Sequence, residues 1–330
     1  MKVLITTVPF GEIDKTPLEL LAKNGLDFTI NPLGRKLTEE DLLELLPGYD
    51  ILIAGTEPIT SRALNASPDL KLISRVGIGL DSVDLEFVRN NGIGISYTPD
   101  APAPAVAELT IGLMISLLRS VHLSNISMHK GDWHRYSGKR ISESTIGLIG
   151  SGRIGSRVAG FLYSLGCRRL LINDISKTNA ELMPDCVEWV DKEMIYQNSD
   201  LISLHVPLTS DTYNMITLAE LEQMKNDACL INTARGGIIN ESDLFEVMQA
   251  GHLSGAAIDV FDKEPYTGKL GVLDNCLLTA HMGSMSLDCR ARMEIEATQE
   301  AVRFFLGEPL QNPVPEEEFE IHMNKVNRSR

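Results

Sequence analysis

The 330-residue chain lacks the features that mark several protein classes. No apolar stretch reaches the ~20 residues that a membrane-spanning helix needs. The five cysteines, Cys167, Cys186, Cys229, Cys276 and Cys289, are odd in number and widely spaced, with no Cys-x-x-Cys. That argues against a disulfide framework or a zinc knuckle and for reduced, buried thiols. Basic residues number 30 against 45 acidic ones, a formal charge of −15. With no basic patch in view, nucleic acid is not an expected partner. The N-terminus opens on a strand-like run at 2–7 and lacks the basic, apolar and small-residue order of a signal peptide. These absences point to a cytoplasmic chain that does not engage a membrane. An acidic chain also does little to attract an anion, so an anionic substrate would need local arginines.

What is present is an alternation. Length alone suggests two domains, and a hydrophobic fraction of 43% suffices for full cores. Runs at 3–7, 51–54 and 72–75 read as strands. The segments 17–24 and 38–46 read as helices, the second with Thr38 as N-cap and Asp41 three residues on. Pro99, Pro102 and Pro104 interrupt the pattern, and one long buried helix is expected over 105–122. A second series follows: strand 145–149, helix 154–165, then strands at 170–173, 201–205, 228–232, 255–259 and 276–279. A last helix runs over 288–306 and stops at Gly307. Such βα alternation predicts an α/β protein of two Rossmann-like, doubly wound, parallel-sheet domains. The economical arrangement inserts the second, 99–287, into the sequence of the first, 1–98 and 288–330.

Within the second series, Gly150-Ser151-Gly152-Arg153-Ile154-Gly155 joins a strand to a helix. Gly150 permits the turn, Gly152 lets backbone approach a pyrophosphate, and Gly155 lets helix pack on strand. The N–H groups near Arg153 and Ile154 would hold phosphate oxygens, aided by the helix dipole. The next strand ends at Asp174, where a carboxylate accepts hydrogen bonds from ribose hydroxyls and repels a 2′-phosphate. NAD is therefore expected rather than NADP, with Lys177 a nearby counter-signal.

Three later strands each end on a chemically useful residue. Arg235 precedes Gly236-Gly237, Glu264 precedes Pro265, and His281 closes an apolar run. Open α/β sheets bind ligands beyond the carboxyl ends of their strands, so the three should share one crevice. Their chemistry suits hydride transfer to a carbonyl. A histidine donates the proton, a carboxylate fixes its ring, and a guanidinium holds a substrate carboxylate or polarises its carbonyl. No metal is required.

These segments resemble the D-isomer-specific 2-hydroxyacid dehydrogenases over nearly the full length. The resemblance rests on 74–84, Val106-Ala107-Glu108, the 150–155 turn, His205-Val206-Pro207-Leu208-Thr209, 232–237, 259–265 and 279–284. It implies that Arg235, Glu264 and His281 are catalytic and that the N–H groups of Gly77 and Ile78 bind the substrate carboxylate. It further implies that His205, Val206, Pro207, Thr233, Ala234, Asp259, Gly283 and Ser284 line the NAD site. A homodimer through the cofactor domain is implied, with Arg135 reaching the partner subunit's substrate. Arg75, the 31–38 segment with Arg35, and Trp133-His134-Arg135 look most like the phosphoglycerate dehydrogenases, where Arg75 would pair with a phosphate or carboxylate. Two positions depart from the pattern. Ala105 stands where many members have serine, and Glu57 lies near where some phosphoglycerate enzymes place an arginine. The same fold also serves NAD-sensing corepressors and formate and phosphite dehydrogenases, which remain alternatives.

Overall fold

The computed structural model describes residues 1–177 and 183–320. The chain divides into two compact units, Met1–Pro102 with Met285–Arg330, and Ala103–Ser284. The second unit lies wholly within the sequence of the first. The divisions fall at 102/103 and 284/285, where the sequence reading put them at 98/99 and 287/288.

The first unit holds five parallel strands, β1 (Lys2–Ile5), β2 (Asp27–Ile30), β3 (Ile51–Ala54), β4 (Leu72–Arg75) and β5 (Gly94–Ser96), in the order β2-β1-β3-β4-β5. The inner strands β3 and β4 are buried at every residue. That is the mark of a parallel sheet covered on both faces. One face packs Leu4, Leu52 and Ile73 with Leu42 and Leu46 around the helix Glu39–Leu45. Thr38 caps that helix and exchanges hydrogen bonds with Asp41, as the sequence predicts. The other face takes the long helix Leu287–Leu306, where Ser74 Oγ donates to the Ala297 carbonyl at 2.8 Å. This helix stops at Gly307, whose φ of 72° an L-residue rarely adopts.

The second unit holds seven parallel strands: β6 (Thr145–Ile149), β7 (Arg169–Asn173), β8 (Val187–Trp189), β9 (Leu201–Leu204), β10 (Cys229–Asn232), β11 (Gly255–Ile258) and β12 (Cys276–Leu278). Their order is β12-β11-β10-β9-β6-β7-β8. Alternate side chains enter separate cores: Ile202, Leu204 and Leu230 on one face, Leu201, Cys229 and Ile231 on the other. The strand period of two thus fills both faces, and the sheet is doubly wound. All five thiols are free. Burial pushes each above its ordinary value, so they serve as apolar filling.

One expected element is corrected. The helix expected at 105–122 is two helices, Ala103–Leu118 and Val121–His129, with Ser120 left-handed at φ 50° between them. The cause is distant in sequence. The Leu118 carbonyl accepts the Lys139 N–H at 3.0 Å, and Gly138 packs so closely on it that a Cβ there would collide. Among the described residues no single helix is long and apolar enough to cross a membrane.

Candidate active site

Because every strand of the larger sheet runs the same way, all seven carboxyl ends share one edge. Strand order leaves β6 with β7 and β8 on one side and β9 to β12 on the other. That reversal is a topological switch point, where such sheets open a ligand crevice.

At the switch point, β6 runs into the glycine turn. Gly150 has φ 100°, and a Cβ there would collide with the His205 carbonyl at the end of β9. A Cβ on Gly155 would collide with the Gly150 carbonyl, whereas Gly152 faces open space. The helix Gly155–Ser164 starts at Ile154 with no side-chain cap. The cap residue Ile154 therefore brings no side chain of its own to the helix start, where backbone N–H groups face an expected phosphate. One strand over, Asp174 Oδ2 accepts the Ser151 N–H at 2.6 Å and the Ser151 hydroxyl at 2.9 Å, which sets its carboxylate against the turn. The Lys177 ammonium lies 5.7 Å from the centre of the Trp189 ring, a cation–π contact that engages it there.

On the other side of the switch, β10, β11 and β12 are adjacent and end on Arg235, the 259–264 segment and His281. His281 Nδ1 lies 2.9 and 3.0 Å from the two Glu264 carboxylate oxygens. The His281 side chain is 45% exposed, open enough to meet a substrate. Its backbone is left-handed, φ 49°, and its N–H donates to the Asp259 carbonyl at 2.8 Å. The Asp259 carboxylate takes Thr279 Oγ1 (2.6 Å), Met282 N–H (2.9 Å) and Gly283 N–H (3.0 Å). Expected to line a cofactor, this buried aspartate also clamps the loop that carries the histidine. Glu241 accepts the Asp262 N–H at 2.7 Å, and burial, then the Asp262 and Glu264 charges, raises it above the ordinary carboxylate range. Thr233 Oγ1 lies 2.8 Å from Thr110 Oγ1, while Val206 packs toward Gly150 and the Pro207 carbonyl accepts the Thr212 hydroxyl. Ala234 is buried and Ser284 half-buried. Among the described residues no group of three or more His, Cys, Asp or Glu could hold a metal ion.

The profile of the D-isomer specific 2-hydroxyacid dehydrogenase NAD-binding domain matches residues 111–283. A hydroxypyruvate reductase of Thermotoga maritima is 36% identical over 295 residues, 87% of this chain and 94% of that one. The chain belongs to the D-isomer-specific 2-hydroxyacid dehydrogenases. A D-3-phosphoglycerate dehydrogenase of Methanocaldococcus jannaschii is 35% identical over 84% of this chain but only 54% of its own length. The crystal structure of an NAD-dependent formate dehydrogenase from Staphylococcus aureus in complex with NAD superposes with a TM-score of 0.81 at 27% identity, over 96% of this chain and 99% of that one. The cofactor of this family member is NAD. The turn fits it, because a Cβ at Gly150 or Gly155 would destroy the cradle while Gly152 leaves room above it.

In the first unit two of the residues expected to bind substrate have partners within the protein. Arg75, expected to face an anion, is 4% exposed; its Nε donates to the Gly79 carbonyl at 3.0 Å and its Nη1 to the Ala54, Gly55 and Val76 carbonyls. It braces the 75–79 loop on β3. The Gly77 N–H, expected to bind a carboxylate, donates to Thr98 Oγ1 at 2.8 Å. The Ile78 N–H has no partner among the described residues. Sequence reading missed Thr98, since nothing local tells which hydroxyl will meet a turn. Arg35 forks onto Asp41 at 2.6 and 2.9 Å. Arg135 is exposed on the segment after Val121–His129.

Two outcomes follow. Gly155→Ala should weaken NADH binding at least about tenfold, about 1.4 kcal/mol, in a fluorescence titration; unchanged affinity would remove the close-approach argument. His205 is half-buried under the turn, its Nε2 3.0 Å from Ser203 Oγ and its Nδ1 buried without a partner among the described residues. Burial pushes it down to about 4, against ~6.5 in an unfolded chain. The unfolded chain therefore binds the proton first, and stability falls as pH drops through that window. The loss should reach about 2 kcal/mol between pH ~7.5 and ~5. Urea midpoints of His205→Gln should fall less over the same range, and an equal fall would contradict the assignment.

Proposed function

We propose that this family member interconverts a small 2-oxo acid and its D-2-hydroxy acid, and that the substrate is unphosphorylated, of the hydroxypyruvate type. The observation that carries the reaction is the pairing of His281 Nδ1 with both Glu264 oxygens, on two neighbouring strands of which the inner lies beside the one ending in Arg235. The Gly150–Gly155 turn would hold the dinucleotide, which when bound would supply a hydride for C2 or take one up in the reverse direction. With Nδ1 held by Glu264, the His281 Nε2 is the nitrogen that gives a proton to the carbonyl oxygen, or takes it back on oxidation. Glu264 fixes ring orientation, as a carboxylate does for a catalytic imidazole. Arg235 holds the substrate carboxylate and polarises the carbonyl.

The absence of a phosphate is supported by charge. Glu57 is 1% exposed at the carboxyl edge of the smaller sheet and accepts the Gly55 N–H at 3.1 Å and the Thr6 hydroxyl. A phosphate dianion brought to that edge would meet a buried carboxylate. The arginines suggestive of phosphate binding are engaged elsewhere, Arg35 by Asp41 and Arg75 by backbone carbonyls. The identity to a hydroxypyruvate reductase over 94% of that relative points the same way.

A homodimer through the second unit is proposed from its surface. The helix Val121–His129 buries no residue, and Val121, Met128 and Trp133 are 51%, 51% and 79% exposed. Neighbouring apolar side chains left open in this way suit a self-complementary contact.

Purified protein with NADH should turn over hydroxypyruvate or glyoxylate with kcat/KM at least about tenfold above 3-phosphohydroxypyruvate. His281→Ala should lower kcat by a factor on the order of 10² or more. The reverse preference would restore the phosphoglycerate reading, and inertness toward every 2-oxo acid would sink the dehydrogenase one. In sedimentation velocity, Trp133→Asp should convert a dimer to a monomer, and a monomeric parent protein would end the dimer proposal.

A further inference from the structure

The backbone of Arg235 is placed by its neighbours, while its own Nη1 donates to the Ala234 carbonyl at 2.7 Å. Asn232 is the last residue of β10, hydrogen-bonded into the sheet between β9 and β11, and 2% exposed. Its carbonyl accepts the Asp259 N–H at 3.0 Å. Its side chain turns forward along the chain. Oδ1 accepts the Ala234 N–H at 3.0 Å, and Nδ2 donates to the Arg235 carbonyl at 2.8 Å. One amide thereby closes the 232–235 turn from both ends. On the far side of Arg235, a Cβ on Gly236 would collide with the Phe261 carbonyl, so the backbone there is pressed against the 261–262 peptide. The Phe261 N–H in turn donates to Glu264 Oε1 at 3.2 Å. The arginine is pinned on one side by an amide and on the other by contact with the segment that orients Glu264.

We infer that Asn232 is a positioning residue for Arg235: its side-chain amide sets the backbone from which the guanidinium reaches the substrate, and acts on catalysis only through it. The inference rests on the catalytic reading of Arg235. Chemistry selects asparagine here. The turn needs one donor and one acceptor on neighbouring atoms of a short side chain, and only the amide supplies both. Aspartate would still accept the Ala234 N–H but would set an acceptor against the Arg235 carbonyl. Alanine would leave both groups of the turn without their partner in a buried place. A small displacement of a substrate-holding group is expensive for catalysis, since it must meet the substrate within a fraction of an ångström.

The test is Asn232→Asp, with Asn232→Ala as the variant that buries no charge and Arg235→Ala as the control. The Asn232 variants should raise KM for the 2-oxo acid about tenfold or more and lower kcat. The NADH dissociation constant, read by fluorescence without turnover, should rise by much less than KM does, because the glycine turn on β6 is untouched even though Thr233 and Ala234 belong to the 232–235 turn. An unchanged KM would overturn the inference. So would NADH affinity falling in step with substrate affinity, or both variants failing to fold, since each makes Asn232 a general structural residue. Should Arg235→Ala itself turn over normally, the catalytic reading of Arg235 fails, an outcome distinct from failure of the Asn232 role.

Discussion

The structure depends on parallel register. In the larger sheet every strand pairs in the same direction as its neighbours, so seven segments leave the sheet on one edge. A single reversed strand would carry its terminal residue to the opposite edge. Reading along that edge gives His281, Glu264, Arg235, His205 and the glycine turn in descending sequence order, which reverses at the switch point to reach Asp174. The groups proposed to handle the substrate fall on one side of the switch point. Asp174, the carboxylate expected to meet a ribose, falls on the other. Crossover helices on both faces are what parallel connections demand, and the doubly filled cores are the consequence.

Register brings the segments together, and backbone contact fixes them there. At Gly150, Gly155 and Gly236 main chain lies on main chain with no room for a side chain. Where a side chain is indispensable, strain is accepted and countered. His281 sits at φ 49°, a conformation that costs a non-glycine residue roughly 1–2 kcal/mol. The same loop gives four hydrogen bonds to Asp259: three to its carboxylate and the His281 N–H to its carbonyl. Each contributes on the order of 1 kcal/mol, and more where the acceptor is charged, so the clamp outweighs the strain. The imidazole is therefore aimed before any substrate arrives.

This division explains what the sequence reveals. The inner strands are apolar at successive positions, and β3, β4, β6 and their partners could be read directly. The glycine spacing announced the turn, and Arg235, Glu264 and His281 each stood at a strand end. The unread strands, β2, β5 and β8, all lie at sheet edges; β2 alternates exposed and half-buried residues and has no continuous apolar run. The break at Ser120 escaped because Gly138 and Lys139, which cause it, are remote in the chain. The fates of Arg75 and Arg35 escaped for a related reason. An arginine near a binding motif looks the same in sequence whether it faces a ligand, a carbonyl or an aspartate. Only the fold brings the Gly55 carbonyl to Arg75, and only the helix start brings Asp41 to Arg35.

A chain of net charge −15 that handles anions poses an electrostatic question. At physiological ionic strength the Debye length is about 8 Å, so most of that charge is screened beyond the nearest groups. What decides binding is therefore within a few ångströms. In the second unit the groups proposed to meet anions are a helix start without a side-chain cap of its own and Arg235. Backbone donors hold anions without adding a mobile cation that a neighbouring carboxylate could capture, as Asp41 has captured Arg35. In a sequence with half again as many acids as bases, that is the arrangement that keeps an anion site open.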